Sequence, residues 1–175
     1  MEFEKKQALF LDRDGVVNIE KEYLYKIEDF EFIDGIFELC RHYTHLGYLI
    51  FIVTNQSGIA RAYYSEEDFS HLNEWMVAAF ISKGVFISKV YHCPHYPEIS
   101  GLCKCRKPEP GMLLEAQKEF NLDLEHSVIV GDKERDILAG INAGLRESYL
   151  LDETGQTRHS QATKIVTRLK DIWIK

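Results

Sequence analysis

Two aspartates spaced two residues apart close an apolar run: Ala8-Leu9-Phe10-Leu11 is followed directly by Asp12-Arg13-Asp14-Gly15. Carboxylates this close repel each other and stay charged only beside a cation, around a shared proton or in a chemical role. A hard, oxygen-preferring Mg²⁺ that also holds a substrate phosphate meets that need. Taken alone, the pattern reads equally well as a solvated Asp-Gly turn. Two further apolar runs also end in polar clusters, at Thr54-Asn55-Gln56-Ser57-Gly58 and at Gly131-Asp132-Lys133. A fourth group, Cys93-Pro94-His95 followed after seven residues by Cys103-Lys104-Cys105, has the donors of a closed tetrahedral zinc site. Three thiolates and an imidazole leave no position for water, so such an ion would be structural. His92 is a competing ligand by position. Cys40 sits alone in a helical pattern and reads as a small buried hydrophobe.

These groups can meet only if a sheet carries them to one edge. Apolar runs of strand length are expected over residues 8–11, 48–53, around 90–91, 127–130 and 148–151, with a weak one at 164–166. Helical spacing separates them. Ile36, Leu39, Cys40, Tyr43 and Leu46 share one face before Gly47. Ser65 caps a helix with an acidic first turn, whose inner face is Phe69, Leu72, Trp75, Met76, Ala79 and Phe80. Pro110 opens a third helix, with Met112, Leu113, Ala116 and Phe120 inward. Residues 134–143 form a fourth, ending at Gly144, and a short helix closes the chain. Strand–helix alternation implies an α/β fold with a doubly wound, mainly parallel sheet. All strands of such a sheet end on one edge, where ligands bind.

A chain of 175 residues suits a single domain, without room for a large cap domain; the metal loop would span about 92–107. No apolar run approaches the roughly 20 residues of a membrane helix, and no signal core follows Lys5 and Lys6. A cytoplasmic protein with no membrane partner is expected. A net charge of −7 argues against a nucleic-acid partner, and it obliges any anionic substrate to rely on local cations.

The motifs D-R-D-G-V, T-N-Q-S-G-I-A-R, C-R-K-P-E-P-G-M and G-D-K-E-R-D-I, in this order between about residues 9 and 144, resemble the haloacid dehalogenase (HAD) superfamily of aspartate-nucleophile phosphotransferases. Within it the chain is similar to the D-glycero-D-manno-heptose 1,7-bisphosphate 7-phosphatases. The resemblance implies a HAD-like Rossmannoid fold with a zinc loop. It also implies hydrolysis of the C7 phosphate of a small phosphorylated sugar, in the supply of activated heptose for lipopolysaccharide or other surface glycans. Asp12 would be the nucleophile and Asp14 the general acid and base. Mg²⁺ would sit between Asp12, the backbone carbonyl of Asp14, and Asp132. Thr54 and Lys107 would hold the transferring phosphoryl group. Arg13, the loop of Glu20, Lys21, Glu22 and Tyr23, then Asn55, Gln56, Ser57, Arg106 and Lys133 would contact substrate. Zinc would sit on Cys93, His95, Cys103 and Cys105. Asp136 either organises its motif or is a surface helix position. A monomer with loop-built specificity is expected.

Two positions depart from the family pattern. Ala60-Arg61-Ala62 stands where A-R-G is usual, and Glu22 stands where a glycine usually precedes the substrate-loop tyrosine. Both concern the fit of the sugar rather than phosphoryl chemistry. Histidinol-phosphate phosphatase is the nearest alternative; its relatives read T-N-Q-D-G where this chain has Ser57. A zinc-stabilised binding module is a reading of another class, which leaves the converging carboxylates without a role.

Overall fold

The apolar strands pair into the doubly wound parallel sheet that strand–helix alternation predicts. A computed structural model describes residues 4–174. β1 (Ala8–Leu11) leads through a loop with a 3₁₀ turn (Ile27–Asp29) to α1 (Ile36–His45), β2 (Leu49–Asn55), α2 (Glu66–Ser82) and β3 (Lys89–Cys93). A short α3 (Pro97–Ser100), α4 (Gly111–Phe120), β4 (Val128–Gly131), α5 (Glu134–Ala143), β5 (Glu147–Leu151) and β6 (Lys164–Val166) follow, with a 3₁₀ turn (Leu169–Ile172) at the end. The six strands form one parallel sheet in the order β3-β2-β1-β4-β5-β6.

Alternation along each strand sends side chains to opposite faces. Leu9, Leu11, Ile50, Ile52, Val128 and Val130 pack against α1, α2 and Leu169. Ala8, Phe10, Phe51, Val53 and Ile129 pack against Met112, Leu113 and Ala116 of α4 on the other face. Both faces are covered, as a parallel sheet requires. Ser65 caps α2 as its sequence predicts: its Oγ accepts from Asp68 N–H at 3.1 Å, and Asp68 Oδ2 accepts from Ser65 N–H at 2.8 Å. One expected core position fails. Leu46 is 59% exposed because α1 ends at His45 and the chain turns there toward β2.

The two departures from the family pattern fall beside real backbone constraints. Ala62 has φ +57°, a left-handed conformation in which a Cβ is strained, so a glycine would be favoured there. In the other loop the left-handed residue is Tyr23, at φ +53°, and not Glu22. Tyr23 and Tyr63 meet edge to face with ring centres 4.6 Å apart, which joins the two loops. Ala62→Gly should therefore raise the unfolding free energy by roughly 0.5–1 kcal/mol in urea denaturation. A destabilised variant would show that the left-handed turn is not under strain.

Candidate active site

The strand order reverses direction between β1 and β4, where open α/β sheets bind ligands. Asp12 directly follows β1 and Asp132 directly follows β4, so two neighbouring strands each deliver a carboxylate to this crevice. Asp12 N–H still donates to Val130 O at 3.0 Å, which carries the ladder one residue past β1. Gly15 makes the close approach possible: a Cβ there would lie 2.4 Å from Asp132 Cγ, and its φ is +91°. Gly131 does the same for Asp136, whose Cβ would be 2.2 Å from an added Cβ. Asp136 is fully buried, which excludes a surface position for it.

Lys107 joins these carboxylates. Its side chain is 1% exposed, and its Nζ lies 2.8 Å from Asp12 Oδ1, Asp136 Oδ1 and Val53 O, hydrogen-bonding Asp12 and Val53 and forming an ion pair with Asp136. Asn55 clamps the backbone of the same residue, accepting from Lys107 N–H at 3.0 Å and donating to Lys107 O at 3.1 Å. Burial pulls the Lys107 ammonium toward neutrality, but Asp12 and Asp136 outweigh it and hold its pKa above the usual value. Asp12 is pushed well above the usual carboxylate range, first by burial and then by the charge of Asp136, with Lys107 opposing. Burial is also the main reason that Asp132 is raised.

Oxygens of Asp12, Asp132 and Asp136 lie within 4.8 Å of one another, a spacing that suits a metal ion. Asp136 is committed on both sides, to Lys107 and, at 3.0 Å, to the N–H of Lys133 at the start of α5. Asp132 Oδ1 is buried and receives no hydrogen bond from the described residues. Such an orphaned carboxylate oxygen beside Asp12 fits a hard divalent cation.

Asp14 faces elsewhere. Its carboxylate accepts from Arg13 Nη2 at 3.0 and 3.1 Å, from Asn18 Nδ2 at 3.1 Å and from Gln56 Nε2 at 3.0 Å. Arg13 itself is only 2% exposed and also donates to Leu24 O at 2.9 Å. Arg13, expected as a substrate contact, lies beside the site with its guanidinium orienting Asp14. Thr54 is buried beneath Gln56, whose Nε2 donates to Thr54 Oγ1 at 2.8 Å, and the Tyr64 hydroxyl donates to Gln56 Oε1.

A cavity of about 260 Å³ opens above these groups. Asp12, Asp14, Glu20, Lys21, Glu22, Tyr23, Asn55, Gln56, Ser57 and Arg106 all line it. Glu20 is pushed up to about 7 there, by burial first and then by Asp14 and Asp132. Lys133 does not join them. Its ammonium, half exposed, pairs with Asp132 Oδ2 at 2.8 Å beside a neighbouring cavity with Asp152 and Thr154. Arg61, Tyr64 and Arg135 line the main cavity without having been singled out as site residues. Arg61 sits in the T-N-Q-S-G-I-A-R motif, which was the available signal.

The cysteine loop closes as its spacing predicts. Cys93 Sγ lies 3.6 Å from Cys103 Sγ and 2.9 Å from Cys105 Sγ, and Cys103 and Cys105 are 3.5 Å apart. His95 Nδ1 is 3.5 Å from Cys93 Sγ and 3.3 Å from Cys105 Sγ. A tetrahedral ion with bonds of about 2.3 Å to sulfur and 2.0 Å to nitrogen sets edges of roughly 3.8 and 3.5 Å. Four of the five distances approach these edges, and none of the cysteines is in a disulfide. His92 is not a ligand. Its ring stacks on Phe69 at 4.1 Å and its Nε2 meets Glu66 at 2.8 Å.

A HAD-hydrolase-like family model matches residues 104–172. The chain is 55% identical over 149 residues to a D-glycero-alpha-D-manno-heptose-1,7-bisphosphate 7-phosphatase of Campylobacter jejuni, covering 85% of this chain and 84% of that protein. It is 48% identical over 155 residues to a D-glycero-beta-D-manno-heptose-1,7-bisphosphate 7-phosphatase of Pasteurella multocida, covering 86% and 84%. Its fold superposes with a TM-score of 0.82, at 29% identity and 95% coverage of both chains, on a D,D-heptose 1,7-bisphosphate phosphatase of B. bronchiseptica complexed with magnesium and phosphate.

The buried Lys107 makes a direct prediction. Lys107→Met strands Asp12 and Asp136 without their counter-ion, and breaking a buried pair in this way costs about 3–5 kcal/mol. Urea unfolding in Mg²⁺-free buffer measures it, and a loss below about 1 kcal/mol would contradict the described ion-pair geometry.

Proposed function

This chain belongs to the D-glycero-D-manno-heptose 1,7-bisphosphate 7-phosphatase family, and on that premise we propose that it hydrolyses the primary C7 phosphate of a heptose 1,7-bisphosphate through a phosphorylated Asp12. The observation that carries this reading is the buried carboxylate of Asp12, fixed by Lys107 at the edge of the sheet beside the orphaned oxygen of Asp132.

Asp12 Oδ1 is held by Lys107 Nζ and by the N–H of Arg13, each at 2.8 Å, so the carboxylate enters the reaction already oriented. One of its oxygens forms the bond to phosphorus as the bond from phosphorus to the C7 oxygen breaks. Asp14 donates a proton to that leaving oxygen, then takes one from the water that attacks phosphorus and frees Asp12. Arg13, Asn18 and Gln56 hold Asp14 in place between the two transfers. Lys107 opposes the negative charge of the phosphoryl group. Mg²⁺ on Asp12, Asp132 and the backbone carbonyl of Asp14 would supply the further positive charge that a dianionic phosphate needs.

Zinc is the proposed ion of the Cys93, His95, Cys103 and Cys105 cluster. Its role is structural: Cys105 is followed by Arg106 and Lys107, so the ion fixes the loop that delivers both cations. The proposed setting is a cytoplasmic, single-domain monomer acting on a small soluble sugar. Support comes from cysteines grouped for metal rather than disulfides, and from the absence among the described residues of any helix long and apolar enough to cross a membrane.

Phosphorus NMR on both anomers of the bisphosphate, with histidinol phosphate as a control, tests the reading. The C7 signal should give way to inorganic phosphate while the C1 signal persists. Release of the C1 phosphate, or a preference for histidinol phosphate, would reject it. Asp12→Asn should show no turnover, whereas Asp14→Asn should be slowed by about 10²–10⁴-fold. Near-normal turnover by Asp12→Asn would remove the nucleophile. Protein purified without chelators should hold one zinc per chain, and Cys103→Ser should lose both zinc and activity. Full activity without zinc would contradict the role given to the loop.

A further inference from the structure

Seven of the eight arginines in this acidic protein fall into two groups, and the exposed Arg158 of the C-terminal segment joins neither. Arg13, Arg41, Arg146 and Arg168 each pair with a carboxylate at 2.5–3.0 Å. Among the described residues Arg61, Arg106 and Arg135 have no such ion pair, and all three line the cavity above Asp12. In a chain of net charge −7, guanidinium groups left without carboxylates around one cavity mark a site built for an anion.

Arg61 is the most constrained of the three in its aromatic setting. Its guanidinium carbon lies 3.7 Å from the ring centre of Tyr96 and 5.8 Å from that of Tyr23. Its Nε is buried and makes no hydrogen bond with the described residues. Stacking on Tyr96 holds the planar donor fork without neutralising it, the state suited to bidentate recognition of phosphate. Arg106 is tied to the same segment, since its Nη1 donates to His95 O at 3.3 Å. His95 is a donor of the cysteine cluster and Tyr96 follows it directly, so one metal-stapled corner places both arginines.

We infer that Arg61, seated on Tyr96, binds the second phosphate of the substrate, the one that is not cleaved, and thereby selects a bisphosphate over a monophosphate. The inference rests on the proposed bisphosphate activity. Arg61 touches substrate away from the reacting atoms, and Tyr96 is a positioning residue acting through it. Glu20 and Glu22 also line this cavity, so a second dianion entering it meets repulsion that the arginines must offset.

The test compares kcat/KM for heptose 1,7-bisphosphate with that for heptose 7-phosphate, which lacks only the second phosphate. Wild-type protein that does not cleave the bisphosphate defeats the underlying activity and not the role of Arg61 within it. Given wild-type activity, Arg61→Ala should lower the ratio of the two values by about 10- to 100-fold, the worth of one hydrogen bond to a charged group. The loss should appear mainly in KM for the bisphosphate. Tyr96→Phe should keep the ratio because the ring suffices, and Tyr96→Ala should lower it. Arg61→Lys should fall between wild type and alanine, since it keeps charge but not the stacked fork. Equal losses on both substrates would reduce Arg61 to a structural role and overturn the inference. So would an unchanged ratio in Arg61→Ala, or a fall in the ratio confined to Arg135→Ala.

Discussion

Everything at the edge of this sheet depends on one buried ammonium. Parallel pairing of β1 with β4 places Asp12 and Asp132 side by side, and Gly131 lets Asp136 fold in behind them. Three carboxylates in so small a buried space would repel one another or take up protons. Lys107 answers two of them with direct contacts of 2.8 Å, and Lys133 answers the third from the rim. The balance still lacks positive charge around Asp132, where a cation fits. The fold therefore creates an electrostatic deficit where a phosphate ester must be attacked, and a metal ion there would complete it.

Lys107 arrives from a loop rather than from the sheet, which gives the cysteine cluster its functional weight. Cys105 sets the start of that delivery, Asn55 clamps the lysine backbone, and Gly111 N–H donates to Lys104 O at 2.9 Å where α4 begins. The loop contains only one four-residue helix between its metal donors, too little regular structure to place a buried lysine unaided. A metal held by the proposed site, which includes Cys93 at the end of β3, would anchor this loop to the sheet. Such an ion would link structure to chemistry through two consecutive residues, Arg106 and Lys107.

The scaffold was largely legible because its signals are local. Four apolar residues before Asp12, the spacing of α5 up to Gly144 and the Ser65 cap each follow from neighbours in the chain. The grouping of Cys93, Cys103 and Cys105 was legible from spacing, whereas the choice of His95 over His92 came from the family resemblance. What the sequence leaves open is which partners each side chain takes once the segments are brought together. Arg13 and Lys133 carry charge in any reading, and the structure adds that Asp14 and Leu24 hold the first while Asp132 pairs with the second. Asp136 could have been surface or core, since only the bare Gly131 opposite it decides the matter. Arg61 was visible as part of a motif, but the Tyr96 ring that holds it comes from another loop.

The central claim is that a carboxylate of the protein, not water, first attacks phosphorus. The stereochemistry at that atom measures it most directly. A substrate whose C7 group is an isotopically chiral phosphorothioate, hydrolysed in labelled water, yields a chiral inorganic product. Two in-line displacements, first by Asp12 and then by water, predict overall retention of configuration. Inversion would mean a single displacement by water and would contradict the account.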